Sequence, residues 1–485
     1  MQRLELLSAS EIGELVNGGF IKPSEVLAYF MERITKRNDR LNAFVYTKFD
    51  EAMELALKED ERLLKGEKLG PFAGVPFALK DFLPNKVGWE SSHGGVKCLK
   101  SIDTTQSVFC KAMEDLGGIS VGKCNAPSYG FRGTTDNPLY GPTKNPFNLA
   151  YNAGGSSGGS AAAVSDGLVL IAEGGDAGGS IRIPASYTNL FGFKAGIGTI
   201  PSVNRPDAFS ASHPYCFNGG LTKTVLDCAI LLNKMAYYDS LDPNSRPQKV
   251  DYVKALTKSV KDCKIAYTVD FDLFPVKDEV KTKFLEEVQS FKQLGIKVEP
   301  VTFNFKHSAY EMAEIWCKAI TVDCAIELNL EANKGHDLLK EHEADFPKEF
   351  IHYKKACDQM GIMDLYAFNL VRTEVLDEFE RILKDYDYIA SPVTIVDGIL
   401  NTFDKNTKGP VEVNGVKVEP LIGFTETFLA NFSGHPAASL PSGFFCNNVP
   451  FGMQVIGRKF KDHDLLTLCA HYEKIKPWRL KYPTD

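Results

Sequence analysis

Apolar positions spaced three and four residues apart dominate the start of the chain. From Ser8 to Lys65 they recur with a helical period, as at Val26, Tyr29, Phe30 and Ile34, with Ser8 or Ser10 as a cap and Pro23 suited to a first helical turn. The spacing predicts an amphipathic helical lead-in over residues 1–65. Beyond it, short strands and helices alternate. Thr104–Leu116 reads as a helix, Gly117-Gly118 stops it, and Ile119-Ser120-Val121 reads as a brief apolar strand. Between Lys264 and Val301, strand-like Ile265–Val269, helical Val276–Leu294, a stop at Gly295 and a strand from Ile296 to Val298 form a βαβ crossover. Residues 307–384 keep a helical period, and Asn401–Pro420 reads as a loop or hairpin. No repeat, low-complexity stretch or Pro/Ser linker marks a boundary, so one large α/β domain over 1–485 is expected.

Composition narrows function more than fold. The chain has 485 residues with 55 Lys+Arg against 62 Asp+Glu, a net charge of −7, and no block of basic residues, so it offers no electrostatic footprint for nucleic acid or anionic lipid. No apolar run reaches the roughly 18 residues of a membrane span. Met1–Glu14 lacks the basic start and apolar stretch of a secretory signal, so the cytoplasm is the expected compartment. Eleven cysteines are scattered from Cys98 to Cys469 without a CxxC pair, which indicates neither a disulfide framework nor a zinc knuckle. Nine histidines include no HExxH and no pair at i, i+4, so no metal-ligand set is visible.

Glycine is the informative residue, because 12 of the 40 fall between Gly154 and Gly198. They lie in two loops, Asn152-Ala-Gly-Gly-Ser-Ser-Gly-Gly-Ser160 and Gly174-Gly-Asp-Ala-Gly-Gly-Ser180, each opening onto a helix-like stretch. Paired glycines can turn several N–H groups toward one point, and a helix N-terminus adds its positive end. Such a place holds an anion or the oxyanion of an acyl-transfer transition state. Gly154–Gly158 satisfies G-x-S-x-G, the hydrolase nucleophile elbow, although Pro146–Ala153 before it is not a convincing strand. Gly117–Lys123 satisfies GxxxxGK, but Cys124 stands where a phosphate loop needs Ser or Thr, and the segment reads as a strand.

A serine nucleophile needs a base. Gly74-Val-Pro-Phe-Ala-Leu-Lys80-Asp81 puts a lysine at the end of a short apolar strand. A strand-end lysine ordinarily snorkels to water; one held dry and neutral at pH 7 costs about 4 to 5 kcal/mol, from an unperturbed pKa of about 10.4, and acts as a base.

Taken in order, Gly154-Gly-Ser-Ser-Gly-Gly-Ser-Ala-Ala-Ala-Val164 and Gly175-Asp-Ala-Gly-Gly-Ser-Ile-Arg-Ile-Pro-Ala185 resemble the amidase signature family of serine hydrolases. The likeness continues through Gly74-Val-Pro…Lys80-Asp, Gly141-Pro-Thr-Lys-Asn-Pro146, Asn431–Pro441 and Gly452–Gly457, and is weakest over about 300–390 and 400–420. It implies a single α/β domain with a large mixed central sheet between helices, a signature core at 70–220 and C-terminal strands in 385–485. It further implies a Ser-cisSer-Lys triad of Ser180 as nucleophile, Ser156 as bridging serine after a cis peptide bond, and Lys80 as base. Backbone N–H groups from Ala177, Gly178, Gly179 and Ser180 would form the oxyanion hole, with Asp176 and Arg182 in support. Ala177 replaces a branched residue that members often carry, which leaves its N–H in place. No cofactor or metal is implied. Many members are dimers, and this sequence gives no independent sign of it.

Family members cleave small, fatty-acid, aryl, peptide, lactam-oligomer and carbamate substrates, and some are glutaminase subunits of tRNA-dependent amidotransferases. Tyr129, Phe131, Thr135 and Asp136 occupy a stretch resembling the family's substrate loop, with Trp316 and Cys317 on a predicted helix as further lining candidates. The aromatic loop residues favour an apolar or aryl acyl group over glutamine. The expected activity is hydrolysis of a small-molecule amide. The alternatives are the amidotransferase subunit, a Ser/His/Asp esterase using His435 or His463, and a catalytically silent binding protein.

Overall fold

In a computed structural model, which describes residues 3–205, 207–209, 215–328, 333–479 and 481–483, eleven strands form one sheet. Residues 1–2 and 484–485, the ends of the expected 1–485 unit, lie outside the described residues. In chain order the strands are β1 (Phe44–Thr47), β2 (Pro76–Lys80), β3 (Ile119–Cys124), β4 (Ile171–Asp176), β5 (Phe191–Lys194), β6 (Phe217–Thr222), β7 (Lys264–Tyr267), β8 (Lys297–Pro300), β9 (Tyr388–Pro392), β10 (Ala437–Phe444) and β11 (Pro450–Gly457). Across the sheet they run β1-β3-β2-β4-β6-β5-β10-β11-β9-β7-β8. Pairing is parallel for β3-β2-β4 and for β9-β7-β8 and antiparallel elsewhere, so the sheet is mixed as expected. Helices flank it, and none among the described residues is long and apolar enough to cross a membrane.

The lead-in holds helices Ala9–Asn17, Pro23–Leu41 and Phe49–Leu64. Ser8 closes a capping box with Glu11, and Pro23 sits in the first turn of its helix. The expectation of an unbroken helical lead-in is corrected by β1: Phe-Val-Tyr-Thr, aromatic and β-branched, fits a pleated surface and pairs with β3. The run before Gly154 also contains a strand, Asn148–Asn152, but it pairs only with Lys144–Asn145 in a hairpin apart from the main sheet. The β7–β8 crossover is parallel, its helix running from Asp278 to Val288 with a tighter last turn to Leu294, and Gly295 stops it at φ 75°. The stretch from 307 to 384 is mostly helical, through Ala309–Cys324, Lys348–Cys357 and Ile362–Leu383, and a hairpin of Glu412–Val413 with Val416–Lys417 lies in the predicted excursion.

The strand order sets the site. Because β2 and β4 are parallel neighbours, with Phe77 opposite Ile171 and Ala78 opposite Ala172, the ends of both strands reach the same edge of the sheet. Lys80 is the last residue of β2 and Asp176 the last of β4, so a base and the second Gly/Ser loop emerge side by side. The first loop is brought there by helix Gly158–Ser165, buried along its whole length. Its Gly159 lies against the backbone of Asn125 and Ala43, a contact that leaves no room for a Cβ.

Candidate active site

Each Gly/Ser loop is held by its own polar clamp. In the first, Asn152 Oδ1 accepts the N–H groups of Gly154 at 3.1 Å and Thr135 at 2.9 Å. Thr135 Oγ1 accepts the Gly158 N–H at 2.9 Å and donates to the Ser156 carbonyl at 3.3 Å. The Gly155–Ser156 peptide bond is cis. A Cβ on Gly155 would stand 2.5 Å from the Thr134 carbonyl, so glycine is required there. Between these clamps the Ser156 hydroxyl meets one partner, Lys80, whose Nζ lies 2.7 Å away.

Lys80 is 3% exposed and Ser156 1% exposed. Burial pulls the Lys80 amine down to about 8, against the opposing influence of Cys216, Glu173 and Asp176. The Phe82 ring centroid lies 4.9 Å from Nζ and walls off one side. The neutral amine that a general base must be is thereby accessible near neutral pH.

In the second loop the carbonyls all turn into the protein. Trp316 Nε1 donates to Ala177 O at 2.9 Å, the Thr427 hydroxyl to Gly178 O, the Ile183 N–H to Gly179 O at 2.6 Å and the Ser157 N–H to Ser180 O at 3.2 Å. Of the four N–H groups expected to face an oxyanion, that of Gly179 is taken by Asp176 Oδ1 at 2.7 Å. Those of Ala177, Gly178 and Ser180 meet no protein acceptor among the described residues. The Ser180 side chain is 2% exposed.

Asp176 and Arg182 form a buried bidentate pair, Nε to Oδ2 at 2.9 Å and Nη2 to Oδ1 at 2.8 Å. The remaining guanidinium donors reach Thr427 O at 2.8 Å, Asn431 Oδ1 at 2.6 Å and Gln454 Oε1. Burial would raise the Asp176 carboxyl, but the Arg182 charge and hydrogen bonds bring it below its ordinary range. The pair therefore ties the nucleophile loop to β11 and to the helix Phe428–Ser433.

The substrate-loop candidates separate. Tyr129 stacks on Phe350 at 4.8 Å and on Phe346 at 6.3 Å, and Phe131 meets Phe350 edge-on at 5.6 Å. Gly130 between them passes close enough to the triad that its Cβ would stand 3.1 Å from Ser156 Oγ. Thr135 is occupied in clamping Ser156, and Asp136 in accepting the Thr407 N–H at 2.9 Å. Trp316 backs the second loop, its ring 2.6 Å from where a Gly178 Cβ would be. Cys317 is fully buried beside Tyr353 and Glu419, whose carboxyl burial raises to about 7. The two histidines of the esterase alternative face carboxylates elsewhere: the His435 ring lies 3.5 Å from Glu380 and that of His463 lies 3.2 Å from Asp464. Sequence reasoning missed Thr427, Asn431, Phe346 and Phe350, all remote in the chain and without a local motif.

A family model described as Amidase matches residues 25–466. An acylamidase of Rhodococcus erythropolis is 31% identical over 487 residues, covering 100% of this chain and 98% of its own length. A glutamyl-tRNA(Gln) amidotransferase subunit of Halothermothrix orenii is 30% identical over 504 residues, covering 98% of each. The crystal structure of a bacterial aryl acylamidase of the amidase signature family superposes with a TM-score of 0.95 at 38% identity, covering 99% of this chain and 98% of that one. With its family model, its relatives and its mixed eleven-stranded sheet in agreement, the chain belongs to the amidase family, as an amidase signature enzyme that hydrolyses amide C–N bonds.

Proposed function

We propose that this enzyme is a free-standing acylamidase working through an acyl-enzyme on Ser180, with Ser156 as proton relay and Lys80 as base. The observation that carries the reading is the 2.7 Å contact between Lys80 Nζ and Ser156 Oγ inside a buried site. Neutral Lys80 takes the Ser156 proton as Ser156 takes that of Ser180, and the freed Ser180 oxygen attacks the amide carbonyl. The N–H groups of Ala177, Gly178 and Ser180 receive the oxyanion. The proton returns along the same route to the leaving amine, which departs, and water then hydrolyses the ester on Ser180.

An aryl or other flat apolar group is the proposed substrate feature. Tyr129, Phe131, Phe346 and Phe350 form an aromatic slab beside Gly130, next to the relay serine. The acylamidase and aryl acylamidase relatives support the same choice. The amidotransferase reading has one observation in its favour, the 30% identical amidotransferase subunit of Halothermothrix orenii. Residence in the cytoplasm is part of the proposal, in keeping with eleven unbridged cysteines.

Intact mass after incubation with a fluorophosphonate, for the wild type and Ser180→Ala, tests the nucleophile. One adduct on Ser180, absent from the variant, is expected; an adduct on Ser156 or none on the folded wild type overturns the assignment. Steady-state hydrolysis of an anilide and of glutamine then separates the two readings. Turnover of the anilide without a partner is expected, whereas glutamine turnover alone overturns the acylamidase reading.

A further inference from the structure

Lys80 is held by groups outside its triad. Its backbone N–H donates to Glu173 Oε2 at 3.1 Å, and its carbonyl accepts the Asn85 side-chain amide at 2.7 Å. The same Asn85 nitrogen lies 2.7 Å from Glu173 Oε2, so the carboxylate and the amide grip the residue from both ends. Ser107, which caps helix Val108–Asp115, donates its hydroxyl to Glu173 Oε1 at 2.6 Å. Asn85 is fixed in turn through its own N–H, 2.8 Å from Asp103 Oδ2, an oxygen that also receives Lys123 Nζ at 2.6 Å. A backbone N–H at a strand end can be satisfied by any neutral acceptor. A carboxylate withdrawn from water is a costly choice for that task, and unlike an amide it brings a charge.

We infer that Glu173 is a positioning residue for Lys80: its carboxylate, oriented by Ser107 and Asn85, fixes the end of β2 from which the amine reaches Ser156 and sets a negative charge beside that amine. This rests on Lys80 being the base. The groups facing Glu173 are Lys80 on β2, Lys123 on β3, Asp103 and Asn85 from the intervening segment, Asp176 on its own strand and Cys110 from the helix that Ser107 caps. Lys80 is also influenced by Asp176 and Cys216. Burial pushes the Glu173 carboxyl up, while the bonds from Ser107, Lys80 and Asn85 and the Lys123 charge hold it toward the ionised form.

A nearby negative charge favours the protonated amine, so removing it makes neutral Lys80 available at lower pH. Glu173→Gln keeps the shape and an acceptor for the Lys80 N–H but loses the charge. Glu173→Asp keeps the charge and shortens the reach. The test measures the rate of Ser180 labelling by a fluorophosphonate from pH 6 to 10 for the wild type, both variants and Lys80→Met, each checked for folding by its thermal transition. Glu173→Gln is expected to move the ascending limb down by about one pH unit or more. Glu173→Asp is expected to leave the limb in place and lower the plateau by up to about 10²-fold through misplacement of the amine. A folded Glu173→Gln whose limb coincides with the wild type overturns the inference, as does a Glu173→Asp limb that moves as far as that of Gln. If Lys80→Met itself retains the wild-type limb, the base assignment fails, and that outcome is distinct from a failure of Glu173 alone.

Discussion

The backbone N–H of Ser157 donates to the carbonyl of Ser180 at 3.2 Å, so the two Gly/Ser loops, 24 residues apart by their serines, form one hydrogen-bonded unit. Ser157 Oγ adds a second tie, accepting the Gly175 N–H at 3.3 Å. The relay serine and the nucleophile are therefore placed relative to each other by backbone contacts rather than by the flexibility of either side chain. Lys80 joins from β2 through a single contact to Ser156, and the pairing of β2 with β4 sets its approach. Such an arrangement supplies the fixed geometry on which proximity effects depend.

Activity should depend on pH through Lys80. With its amine lowered from 10.5 to about 8 by burial, kcat/KM should rise tenfold per pH unit below about 8 and level above it, because only the neutral amine accepts a proton. The same shift affects stability. Between about 8 and 10.5 the unfolded chain holds the Lys80 proton and the folded chain does not, so stability rises with pH across that window and is unaffected by this group below it. Urea unfolding of the wild type against Lys80→Met should show a difference that grows from pH 8 to 10.5. A kinetic limb that climbs only near 10.5 would mean that the amine is solvated.

Arg182→Met should unfold far more easily than the wild type. The guanidinium makes five contacts, two of them to Asp176, and its removal leaves that carboxylate buried and unpaired. Breaking such a pair costs about 3–5 kcal/mol. The urea midpoint should fall accordingly at pH 7, and less at a pH low enough to protonate Asp176. A change under about 1 kcal/mol would show that the loop does not depend on the pair.

Much of this site was legible in the sequence, and for a physical reason. Ser156, Ser180, Asp176 and Arg182 lie in two local glycine-rich loops, where the residue types themselves report an unusual backbone. Lys80 was legible as the terminus of an apolar strand. Thr427 and Trp316, which hold the nucleophile loop, contact it across 249 and 139 residues, and neither stands in a motif of its own. Trp316 was read as pocket lining because a large apolar side chain on a helix carries no mark of what its N–H will reach. Phe346 and Phe350 belong to a helical stretch where aromatic spacing is indistinguishable from core. Glu173 lies inside β4, and only the close parallel neighbour β2 gives its carboxylate something to hold. β1 did carry a signal in Phe-Val-Tyr-Thr, outweighed by the long helices on either side.

Trp316→Phe tests the second loop. The substitution keeps a ring against Gly178 and deletes the N–H that reaches Ala177 O at 2.9 Å. An unsatisfied carbonyl costs about 1–3 kcal/mol. If that carbonyl's orientation aims the adjoining N–H groups at the oxyanion, kcat should fall by about tenfold or more while KM moves little, since the interaction strengthens only in the transition state. A variant that loses stability but keeps kcat would assign Trp316 to packing alone.

The aromatic slab should bear on the choice of acyl group. Phe350 is fully buried, stacked on Tyr129 with the rings 15° apart and set edge-on to Phe131. Aromatic pairs of this kind contribute about 0.5–1.5 kcal/mol beyond their burial, which converts to roughly two- to tenfold in a rate ratio. Phe350→Leu retains apolar volume and removes the flat surface that Tyr129 and Phe131 share. If the slab recognises the substrate, the ratio of kcat/KM for a benzoyl anilide to that for an acetyl anilide should fall by that factor, with the acetyl substrate little changed. If the slab is only core, both substrates should lose equally or not at all while the thermal transition drops. Measuring the ratio rather than either rate alone separates recognition from general loosening, because loosening near Gly130 would displace Ser156 and slow both acyl groups together.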